Sequence, residues 1–189
     1  QSTNDVYPTA LKVALILEIR ELIKAMEHLR TSYTKKAVEF KDLIKMGRTQ
    51  LQDAVPMTLG QEFATFARMT HEDEQRLVEL IPHLSEINLG GTAIGTQLNA
   101  PQGYAEAACR HLSELAGWQF VVAEDMVEAT QDSGVFVLVS GVLKRVAVKL
   151  SKTANDLRLL SSGPRAGFGE INLPAMQAGS SIMPGKVNP

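Results

Sequence analysis

Two adjacent hydroxyls, a lysine and an asparagine gather in the last eleven residues, Gly179-Ser180-Ser181-Ile182-Met183-Pro184-Gly185-Lys186-Val187-Asn188-Pro189. Glycine lets backbone N–H groups turn toward an anion, proline stiffens the path, and Lys186 adds a point charge with three donors. Such a composition suits an anion-handling loop, and it equally suits a turn-rich surface segment. Two further polar stretches shift the balance: residues 1–9, with Ser2, Thr3 and Asn4, and residues 47–57, with Thr49 and Gln50. Hydroxyl and amide donors with one lysine can hold a small dicarboxylate without a large excess of positive charge.

Other chemistries find less support. His28, His71, His83 and His111 fall at unrelated helical positions and read as exposed or packing residues, so no metal set is expected. Cys109 precedes Leu112 and Leu115 at helical spacing and reads as core filler. No Ser/His/Asp order or nucleophile elbow suggests acyl transfer. Gly90, Gly91, Gly95 and Gly103 punctuate residues 88–103, but no strand precedes them, so they form no phosphate-binding fingerprint and no cofactor is expected. With 19 basic and 21 acidic residues, nothing favours nucleic acid or an anionic membrane as partner. The most apolar run, Val135 to Leu143, is too short to span a bilayer. A single cysteine fits a reducing cytoplasm.

The elements that must position these loops read as helices. Pro8 suits a first helical turn, and Leu11, Leu15, Ile19, Leu22, Met26 and Leu29 then recur at helical spacing. A second helix is expected from about Tyr33 to Lys45, capped by Gly47, followed by an ordered connector over 47–57. Thr58 and Gln61 predict a capping box opening a helix to about Ile81, where Pro82 kinks or divides it; Glu72 and Arg76 read as a solvated pair. The longest interior loop, 88–103, is followed by a short helix from Tyr104 to Ala116, ended by Gly117. Asp125 and Glu128 then cap the longest pattern, Met126 to Ser161, a helix of about 50 Å at ~1.5 Å per residue. Val135 to Val139 is apolar at every position and calls for cover on all sides, expected from other subunits. No strand pattern or internal repeat appears, so the expected fold class is all-α, a bundle of long helices.

With these loops in view, the chain resembles the aspartase/fumarase superfamily. The terminal GSSIMPGKVNP matches its signature, and agreement extends to QSTND at 1–5, GRTQLQDAVPMTLGQE at 47–62 and NDLRLLSSGPRAG at 155–167. The resemblance implies an anti elimination: a base removes the C3 proton of L-aspartate, an aci-carboxylate forms, and ammonia leaves to give fumarate. On that pattern Ser180 is the base and Ser181 donates to the intermediate. Lys186 and Asn188, with Thr49, hold the α-carboxylate, and Ser2, Thr3 and Asn4 surround the β-carboxylate and amino group. Class II fumarases usually carry histidine where this chain has Gln50, which favours the ammonia-lyase branch, with Gln50 holding substrate and fumarase the alternative. Some superfamily members serve as structural proteins, which is a further alternative.

The family fold implies a homotetramer whose sites combine loops from three subunits. Opening at Gln1 and closing on Pro189, residues 1–189 are expected to be one central helical domain, a fragment lacking the N-terminal and C-terminal domains.

Overall fold

The computed structural model describes residues 1–189, and helices dominate it. In chain order the elements are α1 (Thr3–Glu39), β1 (Ile44–Thr49), β2 (Gln52–Thr58), α2 (Leu59–Ser85), β3 (Glu86–Ile87), α3 (Tyr104–Ala116), β4 (Val121–Val122), α4 (Met126–Gln131) and α5 (Gly134–Leu160). Two compact units form, one from 1–31 with 70–144 and the other from 32–69 with 145–189. No helix is long and apolar enough to cross a membrane.

The helical reading holds, with corrections. The two expected N-terminal helices are one helix, α1, of 37 residues, and it begins at Thr3 inside the stretch read as a loop. At ~1.5 Å per residue it is about 55 Å long and exceeds the segment expected to be longest. Pro8 lies inside it without breaking it. Proline cannot donate to the carbonyl four residues back, and that carbonyl, Asn4 O, accepts instead from the Asn88 side-chain amide at 3.1 Å. The buried stripe of α1 is also rotated from the expected one: Asp5, Thr9, Lys12 and Ile16 join Ile19 and Met26, while Leu11 is exposed.

Residues 47–57 are not a connector but most of an antiparallel hairpin, β1 with β2. Gly47 is no helix cap. It sits at the register shift between Met46 and Arg48, where a Cβ would lie 2.8 Å from Val55 O. The hairpin escapes a period-2 reading because β2 is mostly exposed and β1 covers consecutive rather than alternating positions.

Helix α2 starts on the expected capping box: Thr58 N donates to Gln61 Oε1 (2.9 Å) and Gln61 N to Thr58 Oγ1 (3.1 Å). It passes Pro82 undivided and ends at Ser85. Arg76 pairs with Glu79 rather than Glu72. The 126–161 pattern is split, because Asp132 is extended and its carboxylate accepts from Gly134 N at 3.0 Å, restarting the chain as α5. Helix α3 matches its expected span, with Gly117 as a left-handed cap.

In the first unit, Ile16, Ile19 and Met26 of α1 are buried, as are Leu77, Leu80 and Leu84 of α2. In the second, Leu59, Phe63 and Phe66 pack with Tyr33, Ala37, Phe40, Leu157 and Ile171, including an edge-on Phe63–Phe66 pair at 5.7 Å. On α5, Val137, Leu138, Leu143 and Val148 remain exposed.

Candidate active site

Ser2, Thr3 and Asn4 form the start of α1, and their placement is built from local hydrogen bonds. Ser2 Oγ accepts from Asn4 N (3.1 Å), and Ser2 N donates to Asp5 Oδ1 (2.8 Å), a reciprocal cap. The other oxygen of the fully buried Asp5 accepts from Gly90 N (3.1 Å) and Thr92 N (3.0 Å). The Asn4 amide donates to Ala93 O at 2.7 Å. Asp5 thus ties the helix start to the glycine-rich loop, and Gly95 backs that loop at φ 89°, where a Cβ would stand 2.2 Å from Met126 O. Thr3 and Asn4 line a cleft with Tyr7, Ala93, Ile94 and Thr130. Sequence reasoning passed over Asp5, although the Ser2-x-x-Asp5 spacing carries the capping signal.

Thr49 and Gln50 sit exposed at the tip of the hairpin. Thr49 pairs with Gln52, leaving Gln50 and Leu51 as a two-residue turn with φ of 50° and 62°. Positive φ at both central positions matches the twist of a tight hairpin, but side chains other than glycine pay roughly 1–2 kcal/mol each for it.

In the terminal loop, Asn188 acts as a clasp: its backbone carbonyl accepts from Met176 N (2.9 Å) and Gln177 N (3.2 Å), and its side-chain amide donates to Ala178 O (2.6 Å). Ser180 is half-buried, and its Oγ accepts from Ile182 N at 3.3 Å. Ser181 and Lys186 are exposed. Lys186 and Asn188 line a cleft of about 640 Å³ with Arg158, Ser161 and Ser162, while Gln50 lines a separate one with Lys45, Arg48 and Phe168. Within this unit these two clefts share no lining residue.

Cys109 and the four histidines all lie in helices. Cys109 is buried; burial pushes its thiol up, outweighing the opposing hydrogen bond from Ser113. His71 and His111 face Glu74 and Glu114 one turn away, and His28 and His83 are exposed. No group of three or more His, Cys, Asp or Glu side chains is arranged to hold a metal.

A family model described as lyase matches residues 1–189. The chain is 57% identical over 189 residues to the aspartate ammonia-lyase of Escherichia coli K12, 58% to that of Helicobacter pylori 26695, and 59% over 190 residues to that of Pseudomonas aeruginosa. Each alignment covers 100% of this chain and 40% of the relative, so the chain spans about two fifths of their length. Among solved structures, the cobalt-bound fumarate lyase:delta crystallin of Brucella melitensis superposes over 100% of this chain and 41% of its own, with a TM-score of 0.97 and 58% identity. The class II fumarase of Schistosoma mansoni gives 0.95 at 35% identity, over 100% of this chain and 43% of its own. Matched from Gln1 to Pro189, the chain belongs to the lyase family.

Proposed function

We propose that this chain is the central helical part of an aspartate ammonia-lyase. The observation that carries the reading is the identity of 57–59% along the whole chain to aspartate ammonia-lyases of three organisms, against 35% to a class II fumarase of nearly the same fold. Gln50 at the hairpin tip agrees with it, since an amide holds a substrate but does not move a proton at neutral pH.

Ser180 Oγ, as alkoxide, takes the C3 proton of L-aspartate. The electron pair left behind moves into the adjacent carboxylate to give the aci-carboxylate, then returns to form the C2–C3 double bond as the C2–N bond breaks and ammonia leaves with its electrons. The proton on Ser180 passes to solvent. An alkoxide needs stabilisation, and the Ile182 N–H 3.3 Å from Oγ is one donor already aimed at it. Exposed Lys186 supplies charge for the α-carboxylate, with the Asn188 amide beside it and Thr49 contributed by a neighbouring subunit. Ser2, Thr3 and Asn4 hold the β-carboxylate and amino group, and Ser181 donates to the intermediate. Gln50 orients substrate.

The exposed Val137, Leu138, Leu143 and Val148 of α5 support assembly into a homotetramer whose subunits cover that apolar face and complete one another's sites. The single cysteine of this chain fits a cytoplasmic location. Fumarate absorbance of the full-length protein, with L-aspartate and L-malate offered separately, tests the activity. Turnover of L-aspartate is expected; turnover of L-malate alone favours a fumarase, and turnover of neither favours a structural role.

A further inference from the structure

Four charged side chains meet between β1, the first turn of α2 and residue 170. Lys45 Nζ lies 2.5 Å from Glu62 Oε2 and 3.1 Å from Glu170 Oε2, and Arg48 Nη1 lies 2.6 Å from Glu170 Oε1. The Lys45 side chain is 7% exposed and that of Glu170 15%. Both carboxylate oxygens facing Lys45 are at ion-pair distance without the geometry of a hydrogen bond. The Arg48 guanidinium also lies 3.9 Å from the centre of the Phe168 ring.

Removing such charges from water costs as much as their attraction returns, and well-packed apolar side chains often serve stability as well or better. A buried cluster is therefore better explained by what it orients. Arg48 is followed directly by Thr49 and by the strained Gln50–Leu51 turn, a conformation that persists only where its surroundings over-determine it. Glu170 stands at the root of the run that leads to Ser180. Each of its carboxylate oxygens faces a different cation on β1, so one side chain links the hairpin to the terminal loop.

We infer that Glu170 is a positioning residue that, by gripping Lys45 and Arg48, holds the hairpin tip and the root of the terminal loop in one fixed register. The inference rests on the reading of Thr49, Gln50 and Ser180 as site residues. The test uses the full-length, assembled protein and a double-mutant cycle on kcat/KM for L-aspartate. Glu170→Gln, which keeps shape and removes charge, is expected to lose about a hundredfold, the scale of a reacting group misplaced by ~1 Å. Gln50→Ala is expected to lose about tenfold, and the double variant no more than about threefold beyond Glu170→Gln, because the tip is already displaced. Losses that simply multiply would overturn the inference. Glu79→Gln, on an exposed surface pair, serves as the control without effect.

Hydrogen exchange gives a readout independent of turnover: residues 44–58 and 171–189 should both exchange faster in Glu170→Gln, with α3 unchanged. If the wild type turns over neither L-aspartate nor L-malate, the proposed activity fails, and exchange alone decides the clamp. Acceleration in only one segment, or in neither, sinks it. If Glu170→Gln does not assemble, Arg48→Lys, which keeps the charge and loses the fork, carries the same cycle with a loss of about tenfold expected.

Discussion

The start of α1 and the terminal loop carry similar polar residues, yet they are built in opposite ways. Around Ser2–Asn4 most polar groups already have a protein partner: the Asp5 carboxylate takes three N–H groups, Asn4 donates to Ala93 O, and Asn88 takes the carbonyl that Pro8 leaves free. In the terminal loop the hydrogen bonds concentrate at the Asn188 clasp, and Ser181 and Lys186 stay exposed. A surface whose donors are mutually engaged offers a substrate a fixed shape. A loop with free donors offers charge and protons. The first region should therefore show its importance in stability and the second in catalysis.

The largest effect is expected on the catalytic side of this contrast. If Ser180 is the base proposed above, Ser180→Ala in the full-length protein should lower kcat by at least about a thousandfold, while the thermal midpoint stays within about 2 °C of wild type. Initial-rate fumarate absorbance and calorimetry check it together. A midpoint shift as large as that of an Asp5 variant would mean that the terminal loop is as structural as the helix start, and the contrast would collapse.

Asp5→Ala should do the reverse. It strands the N–H groups of Ser2, Gly90 and Thr92, of which Gly90 is buried where little water can replace the carboxylate and the other two are half-buried, for a cost of about 3–5 kcal/mol in urea unfolding. Gly95→Ala is a milder insult to the same region. Its backbone φ of 89° disfavours any side chain, and the added Cβ meets the Met126 carbonyl oxygen at 2.2 Å, so the backbone must move apart and about 2–3 kcal/mol is expected. If either substitution left stability untouched, the helix start would not be the closed structure that its hydrogen bonds describe.

How much of this could be read in the sequence follows from the same contrast. Helices with an apolar stripe and short-range caps were legible: the Thr58/Gln61 box, Gly117 and Asp125 all act within a few residues of themselves. So were the loop motifs, because a signature of linked glycines, serines and a lysine is a local pattern. Interactions across distant sequence were not. Nothing near Pro8 announces that Asn88 will rescue its helix, nothing near Asp5 announces Gly90 and Thr92, and Lys45, Glu62 and Glu170 look like scattered surface charges until the chain brings them together. The hairpin was hidden for a different reason: β2 is largely exposed and the covered positions of β1 are Lys45, Met46, Gly47 and Arg48 in succession, so no hydrophobic alternation marks either strand.

The smallest effect extends the closed region into α1. Lys12 is buried, and its Nζ donates to Glu86 O at 2.6 Å. Burial pushes its ammonium below the ordinary 10.5, against the pull of Glu86, Glu128 and Asp132. A lysine whose folded pKa is lowered carries its charging penalty in full at pH below that value, and the penalty is relieved as pH rises from it toward 10.5. Lys12 alone should thus make the protein more stable with rising pH across that window. Tyr33 works in the opposite sense, because burial raises its phenol above the ordinary 10.0, so its contribution falls as pH climbs from that value toward its folded pKa. A bare stability profile would mix the two. The difference between wild type and Lys12→Met, measured by urea unfolding from about pH 8 to about pH 10.5, cancels Tyr33 and leaves Lys12. That difference should move in favour of the wild type as pH rises, and a flat difference would mean that Lys12 is solvated and that the closed region ends before the third turn of α1.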